Sequence, residues 1–259
     1  MIIHWGPCIK INLWADDYFF GKETEKLAKY LDTKSDVALV CSDLIQFYQD
    51  PHQPTRKAVH FGGVEKSFSA GDDALSNWLL QSVLGSIGGY LIRTKIAKQY
   101  AGTLPAKTIV PQVYLGAMIA GSNDIDHIPC FSFSQRLTDD MSQLANKQYL
   151  SLSIVEEIIS AIYLVTESDY NNEVKNKVET RQKLLKTYTD GLVMNLVSYR
   201  CFATTSIFYQ LIKTIWRISP KQVFTLRFCL YFFSSVIVPR KMLNYLLQKY
   251  RHRNIEPLV

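Results

Sequence analysis

Two adjacent carboxylates, Asp16 and Asp17, stand near the start of the chain, shortly after a segment in which apolar and polar side chains alternate (residues 9–13). Such alternation is typical of a β-strand, so the pattern predicts a strand that delivers the acids to its carboxyl end. Ligands bind at that edge of open α/β sheets. Neighbouring carboxylates repel each other, and a divalent cation relieves the repulsion. An acidic turn without a ligand is the alternative interpretation.

The elements that would position this acid pair follow in a distinctive order. Residues 22–31 have the spacing of an amphipathic helix, with Leu27, Tyr30 and Leu31 on one face. Residues 36–43 read as an apolar strand, and residues 84–93 contain three glycines before a strand that ends in Arg93. Over about residues 6–137 this order resembles the second half of the family-2 glycosyltransferases, which have a GT-A fold.

The resemblance implies an α/β fold, a truncated GT-A-like sheet with flanking helices. Asp16 and Asp17 would then form the acidic motif, with Asp17 as the ligand of a divalent cation, Mg²⁺ or Mn²⁺, and Asp16 supporting the ribose or sugar of the donor. Arg93 would also belong to the donor-binding residues. The implied reaction moves a sugar from a nucleotide-sugar donor to a glycan or lipid-linked acceptor in cell-surface polysaccharide synthesis.

The sequence departs from the family pattern before its acidic motif. A complete GT-A domain has a nucleotide-binding half there, whereas only a short segment precedes Asp16. A late start of the reading frame, a split or decayed gene, and a second chain that completes the site are all compatible with this difference.

A second departure concerns the catalytic base. An inverting transferase needs a group that takes the proton of the acceptor hydroxyl, and much of the family uses a carboxylate at the start of a helix. No Asp or Glu occurs between Gly102 and Asp124, and Gln112 stands about where the carboxylate would be. The alternative to an active transferase is therefore a non-catalytic GT-A remnant or partner subunit.

Four further acids have structural interpretations. Asp72 and Asp73 precede a helical segment, so we expect them to cap its N-terminus. Asp124 and Asp126 alternate with other residues, which predicts a strand that turns a row of acids to solvent.

Length and cysteine usage set the organisation of the chain. Its 259 residues suffice for one large or two small domains, and we expect a partial GT-A domain over residues 1–149 and an all-α region over residues 150–259. The five cysteines are scattered without ligand or disulfide spacing, which favours free thiols in a reducing compartment. The N-terminal residues lack the features of a signal peptide, so a cytoplasmic location is expected.

The C-terminal region is strongly basic. Residues 200–259 contain ten Lys and Arg but one acid, interleaved with aromatic and aliphatic side chains. This composition is typical of an interfacial helix on an anionic membrane, and the apolar residues 223–238 fall short of the ~20 needed to span one. Nucleic acid is not expected as a partner, because the bases stand among large aliphatic side chains.

The predicted location is therefore peripheral, on the inner face of the cell membrane. Two alternatives stay open: a helical bundle whose basic face is merely solvated, and a peripheral membrane protein whose acidic motif is only structural.

Overall fold

The structure is a computed structural model and describes residues 2–5, 9–12, 18–47, 50, 52, 56–58, 61–77, 90–105, 107–108, 110–136, 152–167 and 173–253. The chain divides into two compact units. The first consists of Met1–Leu137, Ser160–Arg181 and Pro257–Val259, and the second of Thr138–Ile159 and Gln182–Glu256.

The first unit contains a mixed β-sheet whose central strand order is β1-β2-β7-β4-β8-β3. Two short strands pair outside this order, β5 with β4 and β6 with β8. The strands are β1 (Ile2–Trp5), β2 (Ile9–Asn12), β3 (Tyr18–Phe19), β4 (Val37–Phe47), β5 (Arg56–Ala58), β6 (Lys66–Phe68), β7 (Tyr90–Arg93) and β8 (Asp124–Arg136).

The directions of four strands define the edges of the sheet. β4 and β8 are parallel over their whole length, from Val37 opposite Asp124 to Phe47 opposite Arg136. β7 is antiparallel to β4, and β2 is antiparallel to β7. β2 therefore runs in the same direction as β4 and β8, so all three strands point to one edge, called here the carboxyl edge. The α/β class expected from the sequence is confirmed, as are the strands predicted over residues 9–13 and 36–43.

Three helices of the first unit lie between its strands in sequence: α1 (Gly21–Thr33), α2 (Thr94–Ala101) and α3 (Pro111–Ser122). The predicted apolar stripe gives α1 its packing face, because residues three and four positions apart share one side of a helix. Leu27 and Leu31 are buried against Val40 and Leu91 of the sheet. The amphipathic helix predicted over residues 22–31 is therefore confirmed.

Every described element after residue 151 is helical. These helices are α4 (Leu152–Glu167), α5 (Lys177–Met194), α6 (Leu196–Phe202), α7 (Thr205–Ile218), α8 (Leu226–Ile237) and α9 (Arg240–Arg253), with a 3₁₀ segment at Pro220–Phe224. Threonine side chains cap two of them: Thr204 accepts the N–H of Ile207, and Thr225 accepts that of Phe228. Among the described helices, none has the length and hydropathy needed to cross a bilayer.

Gly71 and Asp72 fix the chain ahead of α5 rather than a helix of their own segment. Gly71 has a φ of 86°, and a Cβ there would collide with the carbonyl of Glu173. The carboxylate of Asp72 accepts the N–H of Lys175 at 3.1 Å and the hydroxyl of Thr180. Asp72 therefore accepts hydrogen bonds from the segment just before α5 and from its first turn, about a hundred residues away in sequence. The sequence predicted instead that Asp72 would cap the helical segment that follows it.

Candidate functional site

In the sequence, the predicted acid pair lies between β2 and β3. Asp16 and Asp17 themselves fall outside the residues that the structure describes. On one side β2 runs toward the carboxyl edge, and on the other β3 pairs Tyr18 with Ser134 in the carboxyl half of β8. β2 thus ends toward the carboxyl edge and β3 pairs near it, and this is the edge at which ligands of open α/β sheets bind.

The chain directly after the acid pair is fixed to β8. The N–H of Phe20 donates to the carbonyl of Ser132 at 3.1 Å. The hydroxyl of Thr24 lies 3.0 Å from the carbonyl of Phe20 and 3.4 Å from that of Ser132. The hydroxyl oxygens of Ser132 and Ser42 are 2.5 Å apart and buried. The start of α1 is therefore hydrogen-bonded to β8 through both a main-chain and a side-chain donor.

Metal binding stays a prediction. Among the residues that the structure describes, no group of three or more His, Cys, Asp and Glu side chains is arranged to hold a metal ion. The proposed ligand Asp17 is not among those residues.

Arg93 lies at the opposite edge of the sheet, where β7 ends beside the start of β4. Its guanidinium donates to the carbonyl oxygens of Val37 at 2.7 Å and Lys34 at 2.6 Å, and to that of Leu31. The carbonyls of Leu31 and Lys34 belong to the C-terminal end of α1 and the turn that follows it, where a cation is favoured, and that of Val37 belongs to the first residue of β4. The structure does not bring Arg93 to the strand ends that flank Asp16 and Asp17, so the predicted donor-binding role of Arg93 gains no support.

Gln112 is the second residue of α3, so the helix start expected at this position is present. Its side chain is 5% exposed, and its amide nitrogen has no hydrogen-bond partner in the described part of the chain. A buried donor left without a partner costs about 1–3 kcal/mol, so such a group calls for a structural or functional reason. An amide donates and accepts hydrogen bonds but does not serve as a base at neutral pH.

The prediction that Asp124 and Asp126 face solvent was wrong for Asp126, and Asp124 is only partly exposed. Asp126 is buried on the face of β8 that α1 covers, and its carboxylate accepts the Tyr30 hydroxyl at 2.7 Å. Asp124 accepts the N–H of Ala70 at 2.8 Å. Burial of the Tyr30 hydroxyl, together with its hydrogen bond to Asp126, raises the pKa of Tyr30 above its ordinary value. The strand was predicted correctly, but the segments that cover it were not.

A second buried polar pair joins β4 to β8 on the other face of β8. Nε2 of His127 lies 3.0 Å from Oδ1 of Asp43, and Nδ1 lies 3.0 Å from the carbonyl of Val64. Because a carbonyl only accepts, Nδ1 carries a proton. The ring of Phe61 packs edge-on against the imidazole, with 5.0 Å between centroids.

Sequence reasoning did not identify this pair. Asp43 and His127 are 84 positions apart, and the signal available was one polar side chain within each of two segments that read as strands.

Comparison with known proteins gives no relative: no protein-family model matches the sequence, and no curated protein matches it. The likeness to family-2 glycosyltransferases therefore rests on the order of elements in the sequence.

Proposed function

We propose that this chain carries the acidic motif of a metal-dependent glycosyltransferase. It would transfer a sugar from a nucleotide-sugar donor to a glycan or lipid-linked acceptor. One observation carries the proposal: β2, which leads to Asp16 and Asp17, runs parallel to β4 and β8 within one sheet. Acids that follow such a strand approach the edge at which α/β sheets bind ligands.

In this proposal each acid has its own role. Asp17 ligates a divalent cation, Mg²⁺ or Mn²⁺, and Asp16 supports the ribose or sugar of the donor. When bound, the cation would neutralise the negative charge that develops on the departing diphosphate. The hydrogen bonds of Phe20 and Thr24 to β8 support this assignment, because a diphosphate site needs its ligands held in fixed positions.

Gln112 favours a second candidate function, a non-catalytic GT-A remnant or partner subunit. An amide at the start of α3 can orient a substrate hydroxyl through a hydrogen bond but cannot remove its proton. We therefore expect the purified chain to bind nucleoside diphosphate with little or no sugar transfer.

The proposed place of action is the inner face of the cell membrane, where lipid-linked acceptors are available. The composition of residues 191–255 supports it, since this segment contains ten Lys and Arg and no Asp or Glu. A basic surface of this kind is attracted to anionic lipid headgroups.

Calorimetry with the full chain tests the donor site. UDP, GDP and dTDP would each be titrated with Mn²⁺ or Mg²⁺ present, and at least one is expected to bind in a metal-dependent way. Asp17→Asn should abolish that binding, whereas Asp32→Asn, which changes an exposed acid of α1, should not. Circular dichroism would verify that both variants fold.

Unchanged affinity in Asp17→Asn would contradict the metal site. Rapid hydrolysis or transfer of a nucleotide-sugar by the wild-type chain would instead exclude the non-catalytic alternative.

A further inference from the structure

Helix α8 presents an apolar stripe to the outside of the second unit. Leu226, Leu230, Phe233 and Ile237 are 75%, 60%, 54% and 74% exposed. Their spacing of four, three and four residues places them on one face of a helix. Just before the helix, the exposed rings of Phe224 and Trp216 are in contact, with 5.7 Å between centroids. We call the four stripe residues together with Phe224 and Trp216 the α8 face.

The opposite side of α8 packs against the protein. Phe228 and Ser235 are buried, and the carbonyl of Ser235 accepts the Nε–H of Arg200 at 3.1 Å. Phe228 belongs to the apolar residues 223–238 of the predicted interfacial helix, and its burial removes it from any contact with lipid. The helix is thus held in place by one side, so the exposure of the other side follows from its packing.

A row of large apolar side chains in water is unusual, although single exposed ones are common. Contiguous exposed apolar residues mark surfaces that are covered when the protein works. The charges of the segment that contains the face indicate which kind of partner covers it.

The segment that contains α8 carries charges of one sign, since residues 191–255 hold ten bases and no acids. Two acids of earlier segments contact it, Asp190 through Gln222 and Glu156 through Arg217. Arg200 and Arg240 donate to main-chain carbonyls, and Arg217 contacts Glu156 at 2.6 Å. Five further bases in the described part of the segment are exposed: Lys213, Lys221, Arg227, Lys241 and Lys249.

We propose that the α8 face docks into an anionic lipid bilayer, with α8 lying in the plane of the boundary between headgroups and acyl chains. An apolar face with basic residues beside it is the pattern of an interfacial helix. A second copy of the chain is disfavoured as the occupant, because a symmetric contact would bring two basic surfaces together. The exposed bases supply the attraction to acidic headgroups, and the stripe supplies the insertion.

Sedimentation of the full chain with vesicles tests the proposal. The wild type should bind phosphatidylcholine vesicles that contain phosphatidylglycerol, and should bind pure phosphatidylcholine weakly. The double variant Leu230→Gln/Phe233→Gln should bind at least roughly tenfold more weakly, since it removes apolar contact with the lipid. Lys221→Gln and Arg227→Gln should each weaken binding by about fivefold at low salt, and by less at high salt.

Two controls separate docking from general effects. Val178→Gln alters an apolar side chain that is 58% exposed and lies outside the α8 face, so it should leave vesicle binding unchanged. Thermal unfolding followed by circular dichroism should give the same midpoint for the stripe variants as for the wild type, because the substituted side chains are exposed.

Fluorescence distinguishes insertion from adsorption by charge alone. Trp216 is 54% exposed within the α8 face. Vesicles with brominated acyl chains should quench part of the tryptophan emission, and Trp216→Phe should remove that quenched part. Adsorption through charges alone would leave the emission unquenched.

Three results would overturn the proposal. The first is wild-type protein that stays in the supernatant with acidic vesicles at low salt. The second is stripe variants that bind as well as the wild type. The third is a wild-type dimer that the stripe variants convert to monomer, without vesicle binding by either, which would make a second copy the occupant. The docking shares its membrane location with the proposed function, but none of these results alters the nucleotide binding expected of Asp17, so docking and donor binding fail separately.

Discussion

The imidazole of His127 and the carboxylate of Asp43 form a contact of 3.0 Å, with 0% and 3% of the two side chains exposed. The contact joins β8 to β4 at the centre of the sheet. The second ring nitrogen reaches the carbonyl of Val64, which comes directly after the 3₁₀ segment Phe61–Gly63. Three separate segments of the first unit are therefore connected through one imidazole.

Removing one partner of this contact should destabilise the protein strongly. Asp43→Asn and His127→Gln are each expected to lower the free energy of unfolding by about 1–3 kcal/mol, because each disrupts a buried hydrogen bond between β4 and β8. The double variant should lose less than the sum, since both substitutions act on the same contact. Urea denaturation of the four proteins measures the coupling, and strict additivity would show that the two side chains act independently.

Arg93 should matter for stability rather than for ligand binding. Arg93→Ala removes a charged donor from the carbonyls of Leu31, Lys34 and Val37, and a hydrogen bond from a charged group contributes about 1.5–3 kcal/mol. Because the side chain is partly exposed, we expect a loss of about 1–2 kcal/mol in unfolding free energy. Lys98→Ala, which changes an exposed base on α2, should have no effect. A large loss of nucleoside diphosphate affinity at unchanged stability would restore a donor-binding role.

A substitution of Gln112 tests whether its buried amide serves ligand binding at the expense of stability. Gln112→Met keeps the volume of the side chain and removes the buried amide, so unfolding free energy should rise by about 1 kcal/mol if the amide lacks a partner in the free protein. Any binding of donor or acceptor that uses the amide should weaken at the same time. A decrease in stability would show that the amide already has a partner within the protein.

Ionisation of Tyr199 should lower the stability of the folded protein at alkaline pH. Burial raises the pKa of Tyr199 from its ordinary value of 10 to about 12. Between these two values the unfolded chain loses the proton and the folded chain keeps it, so unfolding free energy falls as pH rises, by about 1.4 kcal/mol per pH unit for one such group. Guanidinium denaturation at several pH values measures the slope. Tyr199→Phe should reduce it, and an unchanged slope would assign the loss to other groups.

Local sequence patterns were sufficient to predict helices and strands such as α1 and β4, but they were insufficient to predict the contacts between them. The stripe of Leu27 and Leu31 predicted α1, and the apolar run of β4 predicted that strand, because periodicity depends on neighbouring residues alone. The burial of Asp126 depends on Tyr30, which is 96 positions away. The contact of Arg93 with α1 depends likewise on tertiary packing.

The candidate site was predictable to a similar extent. The sequence predicted the strand that leads to Asp16 and Asp17, and the resemblance placed Gln112 about where the family has a carboxylate at the start of a helix. The buried state of the Gln112 amide followed from packing, as did the inward orientation of Phe228. In both cases the residue type allows either outcome, and only the neighbouring elements decide which one occurs.

The parallel register of β4 and β8 also sets the order in which the first unit can fold. Val37 pairs with Asp124, so the strand that completes the centre of the sheet is synthesised 87 residues after the one it joins. Pairing across so long an intervening chain is slow, because loop closure precedes any gain from the contacts. During synthesis, one edge of the apolar strand β4 therefore stays unpaired until β8 has been made. In that interval the nascent chain is most vulnerable to aggregation.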